Sequence, residues 1–245
     1  MDDLRRRIEA GEELHGTFLD LGSPVAAEIA AAAGFDWLVL DLEHGAGARD
    51  ATLAQLHAAR VPVLVRVPSA RSEELGWVLD FGAAGVVIPR VEGAQEAAAA
   101  VARTRYEDGR GLHLGVRAAA FGRDAGYLAR ADAERVAMVQ VETRGALEEA
   151  AQIAALPGVD VLFLGPYDLG QALGLPPGPE SAEMLEVAER VAGAARGAGK
   201  AAAVFLGDPA LAPRYRERGF TLIATGSAAG LLAGTYAERL AALRS

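Results

Sequence analysis

Eight short apolar runs recur along the chain, and nearly all are separated by segments long enough for an amphipathic helix. They are Gly16–Leu19, Trp37–Leu40, Val63–Val67, Gly85–Ile88, Ala137–Val141, Val161–Leu164, Ala201–Leu206 and Leu222–Thr225. Continuous apolarity over four to six residues marks strands buried on both faces, and alternation with helices marks parallel pairing. Helices are expected over Ala26–Ala33, Arg49–Arg60, Ser72–Phe81, Gly93–Arg105, Ala146–Leu156, Ala182–Ala198, Pro209–Arg218 and Ser227–Leu243. Ser23 stands as a cap before Pro24 at the start of the first of these. The pattern predicts an α/β fold, a (β/α)₈ barrel, as one unit over residues 1–245. The chain length of 245 residues fits the usual barrel size of about 250. A doubly wound open sheet is the alternative, but no Gly-rich dinucleotide fingerprint follows the first strand. From about 106 to 130 the pattern loosens into five glycines and several arginines, a candidate functional loop or lid.

Composition removes several kinds of chemistry. There is no cysteine, so disulfides, thiolate zinc sites, iron–sulfur clusters and a cysteine nucleophile are excluded. A formal charge of −9 argues against nucleic acid as a partner. No apolar run reaches the roughly 18 residues of a membrane span. The start, Met1–Arg7, lacks the apolar stretch of a secretory leader, and the expectation is a cytoplasmic protein. The single lysine, Lys200, precedes the seventh strand and so falls at the amino-terminal end of the barrel, away from any site, which argues against a Schiff-base mechanism.

Barrel active sites lie at the carboxyl ends of the strands. The second run ends in Asp41-Leu42-Glu43-His44, and a core strand has no folding reason to finish that way. Arg66 follows strand three, Arg90 strand four, Gln140 and Glu142 flank the end of strand five, and Asp168 follows strand six. His44 is the candidate general base, because histidine is the side chain suited to proton transfer at neutral pH. Asp41, three residues earlier, is expected to orient its ring, with Glu43 turned elsewhere. The bland alternative is a histidine serving loop backbone groups. Arg66 is suited to holding an enolate oxygen, or to pairing with Asp41 or Glu43. Read singly, Glu142 pairs with Arg144 and Asp168 caps the next helix. Read together, they are carboxylate ligands for a hard divalent cation, Mg²⁺ or Mn²⁺. Arg90 either meets a distal substrate carboxylate or sits in solvent. His15, His57 and His113 are assigned no catalytic part, though His113, in the loose loop, could at most touch substrate. Arg5 to Arg7 read as a solvated helix face.

These residues lie in motifs with a family likeness. Gly22-Ser23-Pro24, Ala33-Gly34-Phe35-Asp36-Trp37, Asp41-Leu42-Glu43-His44, Arg66-Val67-Pro68, Gln140-Val141-Glu142-Thr143 and Gly165-Pro166-Tyr167-Asp168-Leu169 stand in order. Together they resemble the metal-dependent (class II) pyruvate aldolases of the HpcH/HpaI, or 4-hydroxy-2-oxoheptanedioate aldolase, family, which includes 2-keto-3-deoxy sugar acid aldolases. The resemblance implies a barrel of the phosphoenolpyruvate/pyruvate superfamily that reversibly cleaves a 4-hydroxy-2-oxo acid to pyruvate and an aldehyde. It implies a divalent cation (Mg²⁺, Mn²⁺ or Co²⁺) on Glu142 and Asp168, and an enolate held by Arg66. Proton transfer falls to Asp41 and His44. The substrate carboxylate lies against Gly165, Pro166, Tyr167 and Asp168, and Gln140 lines the pocket. Asp80 matches an acid near a subunit boundary, and the assembly implied is a homo-hexamer, a trimer of dimers exchanging the last helix. Three departures stand out: Tyr167 replaces a small residue, Tyr106–Gly111 lacks the usual prolines, and Gly226-Ser227-Ala228 lacks an acid. Ile88-Pro89-Arg90-Val91-Glu92 is similar instead to citrate-lyase-type β subunits, so an acyl-CoA lyase is one rival reading and a non-catalytic 2-oxo-acid-binding barrel another.

Overall fold

The computed structural model describes residues 4–244. Met1–Asp3, the first residues of the stretch read as lacking a leader, and Ser245 lie outside the described residues. The first half runs α1 (Leu4–Glu9), β1 (Leu14–Leu19), α2 (Pro24–Ala32), β2 (Trp37–Asp41), α3 (Arg49–Ala58), β3 (Val63–Arg66), α4 (Glu74–Asp80), β4 (Gly85–Ile88) and α5 (Ala94–Ala102). A 3₁₀ turn (Arg117–Gly122) and α6 (Tyr127–Glu134) precede β5 (Val136–Val141), α7 (Arg144–Glu148), α8 (Ala150–Ala155), β6 (Val161–Leu164) and α9 (Pro166–Leu173). Then come α10 (Ala182–Gly197), β7 (Ala201–Leu206), a 3₁₀ turn (Pro209–Leu211), α11 (Ala212–Arg216), β8 (Leu222–Ser227) and α12 (Ala228–Arg244). Among the described residues no helix is long and apolar enough to cross a membrane.

The eight strands pair in parallel in chain order, and β8 closes on β1. Parallel pairing buries both strand faces, and two apolar clusters result. One lies inside the barrel and includes Phe18, Trp37, Val39, Leu64, Met138 and Phe163. The other lies between strands and helices and includes Leu38, Leu40, Val65, Ile88 and Val139. Leu4 and Ile8 of α1 join the inner cluster, so this helix stoppers the amino-terminal end of the barrel. Arg5 reaches Asp160 at 3.0 Å, and Arg7 reaches Asp36 at 2.8 Å. The reading of this helix face as merely solvated is therefore corrected: two of its arginines tie the stopper to the strand entries.

The stretch at 106–130 also differs from expectation. It holds the Arg117–Gly122 turn and the start of α6, with a small core of Val116, Ala119, Tyr127 and Ala131. It joins α5 to β5, and α5 has already carried the chain back to the strand entries. Arg117 donates to the Phe81 carbonyl there, and Arg110 pairs with Asp80. Its anchors lie at the strand entries, and His113 is not among the residues lining the cavity at the strand exits. The expected helix Ala146–Leu156 breaks at Glu149, whose carboxylate turns away to accept the Ala94 N–H at 2.7 Å.

Candidate active site

At the carboxyl ends of the strands a cavity of about 270 Å³ opens. Asp41, His44, Arg66, Gln140, Glu142 and the segment Gly165–Asp168 line it, joined by Phe18, Asp20, Phe205 and Ser227. Most of the residues singled out at strand ends thus share one cavity. Lys200 lies with Arg5 and Asp160 around a separate hollow at the amino-terminal end. His15 pairs with Glu13 and Asp36 outside the cavity, and His57 sits on α3. Asp80, at the far end of α4, is not a lining residue.

The β2–β3 register places Asp41 opposite Arg66. Arg66 donates from Nε to Asp41 Oδ1 at 2.9 Å and from Nη2 to Oδ2 at 2.7 Å. Its Nη1 lies 3.2 Å from Glu43 Oε2, and its guanidinium rests over the Phe18 ring at 5.1 Å. This fork-to-fork geometry fixes the guanidinium plane. Burial opposes ionisation of Asp41, but the Arg66 hydrogen bonds and charge outweigh it and hold the carboxyl below its ordinary value. Burial pushes the Glu43 carboxyl up, against the pull of Arg66 and His44.

The expected arrangement of the histidine is corrected. Asp41 Oδ1 accepts the backbone N–H groups of Glu43 (3.0 Å) and His44 (3.3 Å), an Asx-type turn that uses its lone pairs on the main chain and Arg66. The acid beside the imidazole is Glu43, with Oε2 3.9 Å from His44 Nε2. Glu43 is therefore not turned elsewhere. The His44 side chain is 67% exposed, free to meet a substrate at the cavity rim.

Glu142 is buried, 4% exposed, and does not pair with Arg144, which donates instead to the Ala172 carbonyl. Its carboxylate accepts from Gln140 Nε2 at 2.9 Å and from the Arg90 backbone N–H at 2.6 Å. Arg90 reaches that position with φ of 52°, in the left-handed region that costs a non-glycine residue about 1 kcal/mol or more. So Arg90 serves the site through its backbone, while its guanidinium sits 3.7 Å from Asp168 at the rim. Burial, reinforced by the charges of Glu43 and Asp168, pushes the Glu142 carboxyl up to about 7. Gly165 makes room for it, since a Cβ there would stand 2.7 Å from Glu142 Oε2.

Among the described residues no group of three or more His, Cys, Asp or Glu side chains gathers as a complete ligand set. The donors at this spot are still those a hard cation takes: the Glu142 and Asp168 carboxylates, and Gln140 Oε1, which is buried with no hydrogen-bond partner. Two acids whose charges destabilise each other, next to an unused amide oxygen, fit a divalent ion whose other ligands come from water and substrate.

Four lining residues escaped the sequence reading. Asp20 follows β1 directly, so the strand-end rule that picked out Asp41 applies to it equally. Ser227 ends β8. Phe18 and Phe205 are apolar and become visible only when the inward parity of β1 and β7 is known.

A sequence profile described as HpcH/HpaI aldolase/citrate lyase matches residues 14–234. The chain is 40% identical over 232 residues to a hydroxypyruvate/pyruvate aldolase of Paraburkholderia phytofirmans, covering 90% of this chain and 89% of that protein. It is 37% identical over 241 residues to a 4-hydroxy-2-oxo-heptane-1,7-dioate aldolase of Salmonella heidelberg, covering 96% and 91%. A crystal structure of an HpcH/HpaI aldolase/citrate lyase family protein from Burkholderia cenocepacia J2315 superposes with a TM-score of 0.93 at 37% identity over 100% of both chains.

Proposed function

We propose that this chain, which belongs to the HpcH/HpaI aldolase/citrate lyase family, is a carbon–carbon lyase that reversibly cleaves a 4-hydroxy-2-oxo acid to pyruvate, or a related 2-oxo acid, and an aldehyde. One observation carries the reading. A single cavity holds a buried carboxylate beside an unpartnered amide oxygen, and faces them with a guanidinium fixed by two acids and an accessible imidazole. The names of the relatives as pyruvate and 4-hydroxy-2-oxo acid aldolases support it.

Glu142 and Asp168 would hold a divalent cation (Mg²⁺, Mn²⁺ or Co²⁺), and the buried, unpartnered Gln140 Oε1 would be available to it. When bound, such an ion supplies Lewis-acid polarisation of the 2-oxo group. The free N–H groups of the first turn of α9, at Tyr167 and Asp168, receive the substrate carboxylate. Arg66, its plane set by Asp41, faces the 2-oxo oxygen as negative charge develops there. The exposed His44 imidazole takes the proton of the 4-hydroxyl. Those O–H electrons become the aldehyde C=O, the C3–C4 bond breaks, and its pair passes through C3 to the 2-oxo oxygen. His44 then returns the proton to C3, which becomes the methyl group of pyruvate. Asp41 serves by placing Arg66 and the His44 backbone, and Glu43 by lying beside the imidazole.

The test is hydrogen–deuterium exchange of the pyruvate methyl group in D₂O, followed by NMR. Exchange should require a divalent cation and should disappear in Glu142→Ala. Cation-independent exchange, or full exchange in that variant, overturns the proposal.

The same proposal includes the assembly. Along its 17 residues no side chain of α12 is fully buried, and Leu231, Leu232, Tyr236, Leu240 and Leu243 are exposed. A helix without a packed face gains little from propensity alone. Exchange of α12 between copies in a hexamer, a trimer of dimers, gives those side chains a partner surface.

A further inference from the structure

The cavity is chemically divided, and the division names the aldehyde. The exits of β2 to β6 carry Asp41, His44, Arg66, Gln140, Glu142 and Asp168, the groups that activate the 2-oxo acid. The exits of β7, β8 and β1 carry Phe205, Ser227, Phe18 and Asp20. Phe18 and Phe205 meet edge-on, with ring centroids 5.3 Å apart at 83°. Tyr167 leans across from α9 to extend this wall, its ring 6.1 Å from Phe205. Its position depends on Gly207, because a Cβ at 207 would lie 2.5 Å from the Tyr167 hydroxyl. The result is a row of three aromatic rings beginning beneath the Arg66 guanidinium and ending at the first turn of α9.

The charged groups beside that row leave it apolar. Arg66 is held by Asp41 and Glu43, and the Arg90 side chain, 3.7 Å from Asp168 at the rim, is not among the lining residues. His44 is shared with Glu43 on the opposite side. The ionisable group that adjoins the aromatic wall is itself an acid: Asp20, whose Oδ1 accepts the Ala229 N–H at 2.9 Å. A second carboxylate on the aldehyde would meet aromatic faces and a like charge, and the one guanidinium lining the cavity, that of Arg66, already holds Asp41 and Glu43. An uncharged aryl or branched alkyl group would meet ring faces and edges.

Resting on the aldolase reading above, we infer that the β7–β8–β1 half of the cavity is an aldehyde subsite selecting uncharged aldehydes with an aryl or bulky apolar substituent, against aldehydes that carry a carboxylate. The reaction is unchanged. C3 of pyruvate loses a proton and bonds to the aldehyde carbon, and the aldehyde oxygen takes up a proton, so atoms and charge balance without a further reactant.

The experiment compares kcat/KM for benzaldehyde and for 4-oxobutanoate in aldol addition, with wild-type protein, saturating pyruvate and Mn²⁺. A preference for benzaldehyde of at least about tenfold is expected, the usual scale for one apolar contact in a pocket. Asp20→Asn, which keeps an oxygen to accept the Ala229 N–H, should raise kcat/KM for 4-oxobutanoate several-fold. Phe205→Ala should lower that for benzaldehyde about tenfold, mainly through KM. Equal use of the two aldehydes, or preference for 4-oxobutanoate, overturns the inference, as does no gain in Asp20→Asn. Pyruvate methyl exchange in D₂O without any aldehyde separates the two levels: exchange with no benzaldehyde preference sinks the subsite alone, whereas absent exchange sinks the aldolase reading beneath it.

Discussion

Asp41 carries the largest structural burden of any single site residue. It takes two hydrogen bonds from Arg66 and two from the backbone of the turn that bears Glu43 and His44. Asp41→Ala leaves a buried guanidinium with Glu43 as its remaining acid, and removing one member of such a pair costs roughly 3 kcal/mol. Urea unfolding should show that loss, and pyruvate exchange should fall about 100-fold as Arg66 loses its plane; a variant within 0.5 kcal/mol of wild type would refute this account. Glu142 makes the opposite contribution. Its folded pKa, about 7, lies above its ordinary 4.5, so the folded protein binds the proton more tightly than the unfolded chain. The cation-free protein therefore loses stability as pH rises from about 4.5 to about 7, by up to roughly 3 kcal/mol, and stays lower above that range. Thermal melts in EDTA should show this fall in wild type relative to Glu142→Gln; parallel curves would contradict it. The identity of these residues was legible in the sequence because polar groups at the ends of apolar runs have little structural reason to be there. Their pairing was not. A spacing of three does not say whether an aspartate faces a ring or its backbone N–H, and Arg66 reaches Asp41 through a strand register that no local pattern encodes.

Elements place these groups by what they leave out as much as by what they hold. Gly165 stands between β6 and α9 where any side chain would press on Glu142. Gly165→Ala should preserve the circular dichroism spectrum and weaken Mn²⁺ binding at least tenfold, read by electron paramagnetic resonance, because one displaced ligand costs on that order. Unchanged Mn²⁺ affinity would count against Glu142 as a ligand. At the other end, Ile8 of α1 is 5% exposed inside the barrel, and Ile8→Ala should cost about 2–4 kcal/mol with pyruvate exchange intact. Loss of exchange without loss of stability would mean the stopper acts on the site. The strands were readable because burial on both faces leaves uninterrupted apolar runs. From sequence the long connection at 106–130 stays a candidate functional loop or lid, because its length and glycine content signal a loop but not an end of the barrel. Only the direction of α5, which returns the chain to the strand entries, decides that. The break at Glu149 was hidden for a related reason: its cause is a hydrogen bond to Ala94 on a different helix.

The barrel as a whole closes without its last helix. Eight strands, two apolar clusters and the cavity are complete before Ala228, and α12 then adds 17 residues with no buried side chain. Its first turn is nonetheless anchored, since Asp20 and Ser227 accept the N–H groups of Ala229 and Gly230. Asp20 and Ser227 also line the cavity, so the start of α12 and the cavity share a boundary. That a final helix follows the eighth strand was legible from its alternation with the rest; that only its first turn meets its own barrel was not, because apolar residues on a helix look the same whichever chain they pack on. Leu240 and Leu243 are 47% and 86% exposed. Charging both, as Leu240→Asp with Leu243→Asp, introduces no burial penalty within one chain, so the melting temperature of the isolated chain should hold. In the assembly the same side chains are expected in an apolar interface, where each unpaired carboxylate costs several kcal/mol. Sedimentation should therefore show wild type at six times the 25.4 kDa chain mass and the double variant as smaller species. A wild-type monomer, or a double variant that still sediments as a hexamer, would rule out exchange of α12 as the assembly device. If pyruvate exchange also drops in the dissociated variant, the shared anchor at Asp20 and Ser227 is the physical route by which loss of a neighbour reaches the site.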